Sequence, residues 1–290
     1  MPITRQQFPG KWEDGACIFC GSLDKKSEEH YWGQWLENYL PPRHRGTTHL
    51  FSGGTIRRYF ENGKIEFYPE HRKPVLNPKA DPSRQSLKVV CERCNNDWMS
   101  RLQSRAKPIL IRYIEDDWTP LSNWSARSLA SWITMFCMVY EFADAPSIGI
   151  SPQEREGLRL TLDPLPNWRI WVGRYRDFGQ WHRKIVHRAM SSRPFVGPPH
   201  FDTHITTFAL GKLVIQALST TDRNLAINYT ERAEINRLAV LWPFDNNIFV
   251  KPTWGLKDIH IDRMAQDLHT LVIQRALRLA ERGIVYRFTP

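Results

Sequence analysis

The sequence predicts an α+β protein in two parts: a cysteine-stapled N-terminal module over residues 1–113 and a mixed α+β region over residues 114–290. Three observations predict it. Two C-x-x-C pairs, Cys17/Cys20 and Cys91/Cys94, frame the first third of the chain, and the second runs directly into a helix-patterned segment. Beyond them, amphipathic stretches of helical period are interspersed with alternating, strand-like ones, the layout of a mixed fold. With 290 residues, 41% of them hydrophobic and 12% aromatic, the chain is long and apolar enough to bury a substantial core rather than remain disordered.

Taken in order, "MPITRQQFPGKWEDGAC" lacks the apolar stretch of a signal peptide. Between the cysteine pairs, a long basic loop is expected over about residues 41–86. Within it "IRRYF" and "KIEFY" flank Asn62-Gly63, which is the signature of a two-residue hairpin. After Cys94 a helix begins, with the spacing of Trp98, Leu102 and Arg105 seating one face on the cysteine module; Trp98 and Met99 read as core. Residues 124–142 form an apolar helix, and Ser151, Pro152 and Glu154 make a capping box that starts another. "WRIWVGRYR" and "THITTFALGKLVIQALST" read as strands, the second folding back at Gly211-Lys212. "ERAEINRLAVLW" runs to Pro243, and 257–282 is a long amphipathic helix. The most apolar run, Ser128 to Tyr140, is far short of the ~20 residues a membrane span needs. A soluble, cytoplasmic protein with no membrane partner is therefore expected.

Charge narrows the partners. Forty Lys+Arg against thirty Asp+Glu give a net charge of +10. Residues 1–113 hold 19 basic and 12 acidic side chains, so +7 of the excess lies around the cysteine pairs and +3 in the rest. Such a region attracts phosphate backbones without reading sequence. Arg57, Arg58, Lys64, Arg72 and Lys73, on and after the expected hairpin, are candidate phosphate contacts; a solvated basic face is the other use of such residues.

Of the five cysteines, Cys17, Cys20, Cys91 and Cys94 form two turns of the type that supplies two corners of a tetrahedron, and together they close a structural zinc site. A redox-active pair is the alternative. The 70 residues between Cys20 and Cys91 exceed a simple zinc ribbon and indicate an insertion. Cys137, within "SWITMFCMVYEF", reads as a buried thiol of the core. His182/His187 and His200/His204 have metal-like spacing, but no acidic or cysteine partner stands near them in sequence. A four-cysteine zinc has no open coordination position, so any chemistry would need a second metal or none.

A second feature suggests such chemistry. In "SEEHYWGQWL" an acidic residue, Glu29, is followed directly by His30, whose imidazole titrates in the range useful for taking a proton from water. The order C-x-x-C, Glu-His, then C-x-x-C-Asn opening a helix resembles the HNH, or ββα-metal, endonucleases over roughly residues 14–106. The resemblance implies a zinc knuckle that staples two strands to a helix. It also implies Glu29 and Asn95 as ligands of one catalytic divalent cation, most simply Mg²⁺, and His30 as general base. The implied activity is hydrolysis of phosphodiesters, most simply in double-stranded DNA, leaving 5′-phosphate and 3′-hydroxyl ends. From the residues alone, Asn95 and Asn96 also suit a helix cap. The family's middle asparagine has only Asn77 as a candidate. The competing readings are a zinc-stapled nucleic-acid-binding module without catalysis, and the same site acting on RNA.

Overall fold

The computed structural model describes residues 15–30, 32–40, 57–61, 64–68, 86–143, 148–177, 184–190, 202–232, 237–244, 252 and 254–280. The chain is a mixed α+β fold. Near the N-terminus, β1 (Lys26–His30) pairs antiparallel with β4 (Ser86–Cys91), setting Lys26 opposite Cys91 and His30 opposite Ser86. Between these two in sequence, β2 (Arg57–Glu61) and β3 (Lys64–Tyr68) form the expected antiparallel hairpin with Glu61 opposite Lys64. Its Arg57, Arg58 and Lys64 are therefore on paired strands, while Arg72, Lys73 and Asn77 lie outside the described residues.

The helix after β4 starts earlier than the sequence suggests. Instead of beginning beyond Cys94, α1 (Glu92–Cys94) opens directly after Cys91, whose Sγ accepts from the Cys94 N–H at 3.4 Å and caps the first turn. The C-x-x-C turn is itself the start of the helix. A π-helical turn over Asn95–Met99 follows, in which the Asn95 carbonyl accepts from the Ser100 N–H, and the run continues as α2 (Ser100–Ile114). Trp98, Met99 and Leu102 are buried as expected. Arg105 is not: the buried stripe proceeds through Ala106, Ile109, Leu110 and Tyr113. Arg105 sits on the flank of that stripe and places its guanidinium over the Trp124 ring at 5.9 Å.

α3 (Asn123–Tyr140), capped by the Ser122 hydroxyl, is buried almost all round because it lies between α2 and the large sheet. Among the described residues no helix is long and apolar enough to cross a membrane. α4 (Pro152–Thr161) carries the expected capping box, with Ser151 Oγ accepting from the Glu154 N–H and Glu154 Oε2 accepting from the Ser151 N–H. Its Arg155 reaches the C-terminal end of α3, donating to the Met138 carbonyl at 2.6 Å.

The large sheet comprises β5 (Trp168–Tyr175), β6 (Ile185–Met190), β7 (Thr203–Leu210), β8 (Leu213–Thr220), β9 (Ala239–Trp242) and β10 (Gly255–Leu256). Its order is β10-β5-β8-β7-β6, with β9 antiparallel to another part of the β5 edge and β10 the only parallel pairing among the described residues. Every residue of β7 and β8 is buried, as befits central strands covered on both faces. Phe208, Leu210, Leu213 and Ile215 join the cluster that also holds α2 and α3, whereas Ile205, Ala209, Val214 and Leu218 face α5 (Arg223–Thr230) and α6 (Asp258–Ala280).

The sheet is tied to the cysteine module at the end of α2. Lys212 N–H donates to the Ile114 carbonyl at 3.2 Å, and Arg174 Nε donates to Asp116 Oδ1 at 2.6 Å. At the β7–β8 turn Gly211 has φ +54°, and a Cβ there would stand 2.7 Å from Ile114 Cγ2. Only glycine suits that approach. One cluster of buried side chains accordingly runs from Cys17 through α2 and α3 to Leu241.

Candidate metal centre and adjoining acid–amide site

The four cysteines predicted to act together do converge. Cys17 and Cys20 stand on a turn whose backbone is held by Ile18 N–H on the Val89 carbonyl (3.0 Å) and Gly21 N–H on the Cys17 carbonyl (2.9 Å). Cys91 ends β4 and Cys94 ends α1. Their sulfurs all lie within 4.8 Å of one another, and Cys20 Sγ is 3.7 Å from Cys91 Sγ. Thiolates around a tetrahedral zinc at ~2.3 Å stand ~3.8 Å apart, so the donor set and its spacing fit that ion.

The four thiols perturb one another strongly. Cys17 is held below the usual thiol range, chiefly by the hydrogen bond from Cys94 and further by backbone N–H groups, against the effect of burial. Cys94 is pushed up by making that bond and by burial, and Cys91 is pushed up chiefly by burial. A metal would release the remaining protons. Arg93 hydrogen-bonds Cys20 from the exposed side, which places a positive charge beside the thiolates.

The staple positions its neighbours. β4 carries a bulge: Lys88 and Val89 oppose the single residue Glu28, and this lets the Val89 carbonyl reach the Ile18 N–H. On β1, Ser27 and Glu29 are two residues apart and share a face. Asn95, one residue beyond Cys94, meets both. Its Nδ2 donates to Ser27 Oγ at 2.6 Å, and its side chain hydrogen-bonds Glu29. Burial pushes the Glu29 carboxyl up to about 7, with the Asn95 amide pulling the other way. Asn95 lies in the π turn and the N-cap is Cys91, so neither asparagine caps the start of the helix; Asn96 is exposed.

His30 ends β1, directed by strand alternation away from Glu29. Its Nε2 lies 3.3 Å from Gln34 Nε2 on the short helical turn Gln34–Asn38. Glu28 points into solvent and pairs with Lys88 at 2.8 Å. The structure thus joins Glu29 to Asn95 and turns His30 toward Gln34. Cys137 is buried, as read from the sequence, and burial pushes its thiol up to about 12.

A second group was not legible in the sequence. Glu141, His187 and His204 bring three potential ligand atoms within 4.8 Å of one another, all buried. The acidic partner absent from the histidine segment is supplied by the turn after α3. A histidine within each of two apolar strand-like segments was the available signal, but nothing in the sequence pointed to Glu141. His182 and His200 lie outside the described residues. No protein-family model, curated protein or solved structure matches this chain.

Proposed function

We propose that the N-terminal module is an HNH-type endonuclease that hydrolyses phosphodiester bonds in DNA. The observation that carries this reading is the contact between Glu29 and Asn95, one on a strand and one on a helix, beside a four-cysteine group that ties the two elements together. A half-buried carboxyl raised by desolvation and set against an amide is a poor choice for stability alone and a candidate ligand. The same pair makes a sound oxygen ligand set for a hard cation, since half a turn about the Asn95 Cβ–Cγ bond presents Oδ1 in place of Nδ2.

In this reading Glu29 and Asn95 would hold Mg²⁺ or another divalent ion, which supplies charge neutralisation at the phosphate and the leaving 3′ oxygen. His30 takes the proton from the attacking water, and Gln34 orients the ring. The four cysteines hold structural zinc and keep Asn95 in register with Glu29. DNA is engaged by the basic residues of the N-terminal part, with Arg57, Arg58 and Lys64 of the β2–β3 pair and the exposed Arg105 of α2 as phosphate contacts.

The test is cleavage of supercoiled plasmid and of RNA by the purified full chain, with Mg²⁺ and with a chelator of Mg²⁺. Chelator-sensitive nicking or linearisation that His30→Ala abolishes supports the proposal. DNA binding without cleavage in any divalent ion rejects it in favour of a binding module, and cleavage of RNA alone reassigns the substrate.

A further inference from the structure

We propose that Glu141, His187 and His204 form a second metal site, a buried bis-histidine carboxylate set suited to Zn²⁺, separate from the four cysteines. The three residues come from three elements: the short turn Glu141–Ala143 after α3, β6 and β7. They are 0%, 6% and 4% exposed. Three potential donors gathered in the buried layer under α3 have ligand atoms within 4.8 Å of one another, the spacing a shared ion needs.

The surrounding contacts set each donor. Thr206 Oγ1 engages His187 Nδ1 at 2.8 Å, so a metal would be taken through Nε2, with the ring orientation fixed from behind as in established histidine ligands. Glu141 Oε2 accepts from the Gly149 and Ile150 N–H groups at 3.2 and 3.3 Å, which locks the carboxylate plane, and it lies 4.0 Å from His204 Nδ1. Two donors sharing an ion at ~2.0–2.2 Å stand between ~3.4 Å (tetrahedral) and ~4.2 Å (opposed), so this pair is already in range. The two imidazole planes lie 15° from parallel with centres 6.3 Å apart. Two imidazoles on one tetrahedral ion have ring centres roughly 5.2 Å apart, so these rings must close by about 1 Å to share it.

Arg155 bounds the affinity. It ion-pairs Glu141 through the other carboxylate oxygen, Oε1, so a bound dication would share one carboxylate with a buried guanidinium. Two neutral imidazoles add no negative charge, and the site therefore requires an anionic fourth ligand such as hydroxide or chloride. It is weaker than the four-thiolate site and should be the first to lose its ion to a chelator.

The experiment is zinc stoichiometry of the full chain after zinc loading and desalting, with X-ray absorption of the same sample. Two zinc ions per chain are expected, with a sulfur shell near ~2.3 Å and a nitrogen/oxygen shell near ~2.0 Å bearing imidazole scattering. His187→Gln and His204→Gln should each retain one zinc with all four module thiols protected from alkylation, while Glu29→Gln keeps both. One zinc in an all-sulfur shell in the wild type overturns the proposal whether or not the variants fold. So does a second zinc that survives both histidine substitutions or departs with Glu29→Gln.

Discussion

Replacing Glu29 by glutamine separates a buried metal ligand from an ordinary strand residue by a thermodynamic signature. Burial raises the Glu29 carboxyl from 4.5 to about 7 in the folded chain. At ~1.4 kcal/mol per pH unit, the charged form is disfavoured by roughly 3 kcal/mol in the folded state when no cation is present. Because the folded value lies above the unfolded one, this contribution to stability is complete below about pH 4.5 and is lost as pH rises through about 7. Glutamine keeps the shape and does not titrate. Wild-type protein should therefore lose roughly 3 kcal/mol relative to Glu29→Gln between about pH 4.5 and 8, read from urea unfolding followed by tryptophan fluorescence. Millimolar Mg²⁺ at the higher pH should restore the wild type and leave the variant unmoved, since a cation binds the ionised carboxylate. Parallel pH profiles for the two proteins would show that Glu29 is solvated, and equal Mg²⁺ effects would show that the ion binds elsewhere.

Further outcomes follow from the same contacts. His30→Ala should lower plasmid cleavage by ~10²-fold or more while zinc content and DNA binding persist. Glu28→Ala removes only an exposed pair with Lys88, so the unfolding midpoint and the cleavage rate should both stay at the wild-type values. Cys91→Ser keeps a side-chain acceptor to cap α1 but leaves an incomplete thiolate set, and should release the module's zinc and render the N-terminal part sensitive to protease in limited digestion. Glu141→Ala strands the buried Arg155 guanidinium, and calorimetry should show a loss of ~3–5 kcal/mol. DNA binding by the full chain should weaken by orders of magnitude between ~50 and 200 mM salt in a gel-shift titration if phosphate contacts dominate.

Features visible in the sequence were those whose physics is local. A C-x-x-C turn carries its own geometry, and the capping box at Ser151 and Glu154 satisfies backbone groups within one helical turn. Glu61 pairs with Lys64 in the register that the Asn62-Gly63 dipeptide predicts, and the fold-back at Gly211-Lys212 joins β7 to β8. The start of the helix at Glu92 was missed because a sulfur cap on Cys91 replaces the usual oxygen cap. Arg105 was misplaced because a period of three or four residues does not settle which side of a stripe is flank.

Long-range meetings depended on packing. Asn95 reaches Ser27 across 68 residues because the cysteines and the β1–β4 ladder bring a strand against a helix. Glu141 meets His204 because α3 lies across the sheet and ends above β6 and β7, a placement decided by which apolar faces are buried together. Residue types in the sequence determined what each side chain can donate or accept. Closing loops of 46 and 63 residues to join Glu141 with His187 and His204 takes the burial energy of the whole layer, which no short segment contains.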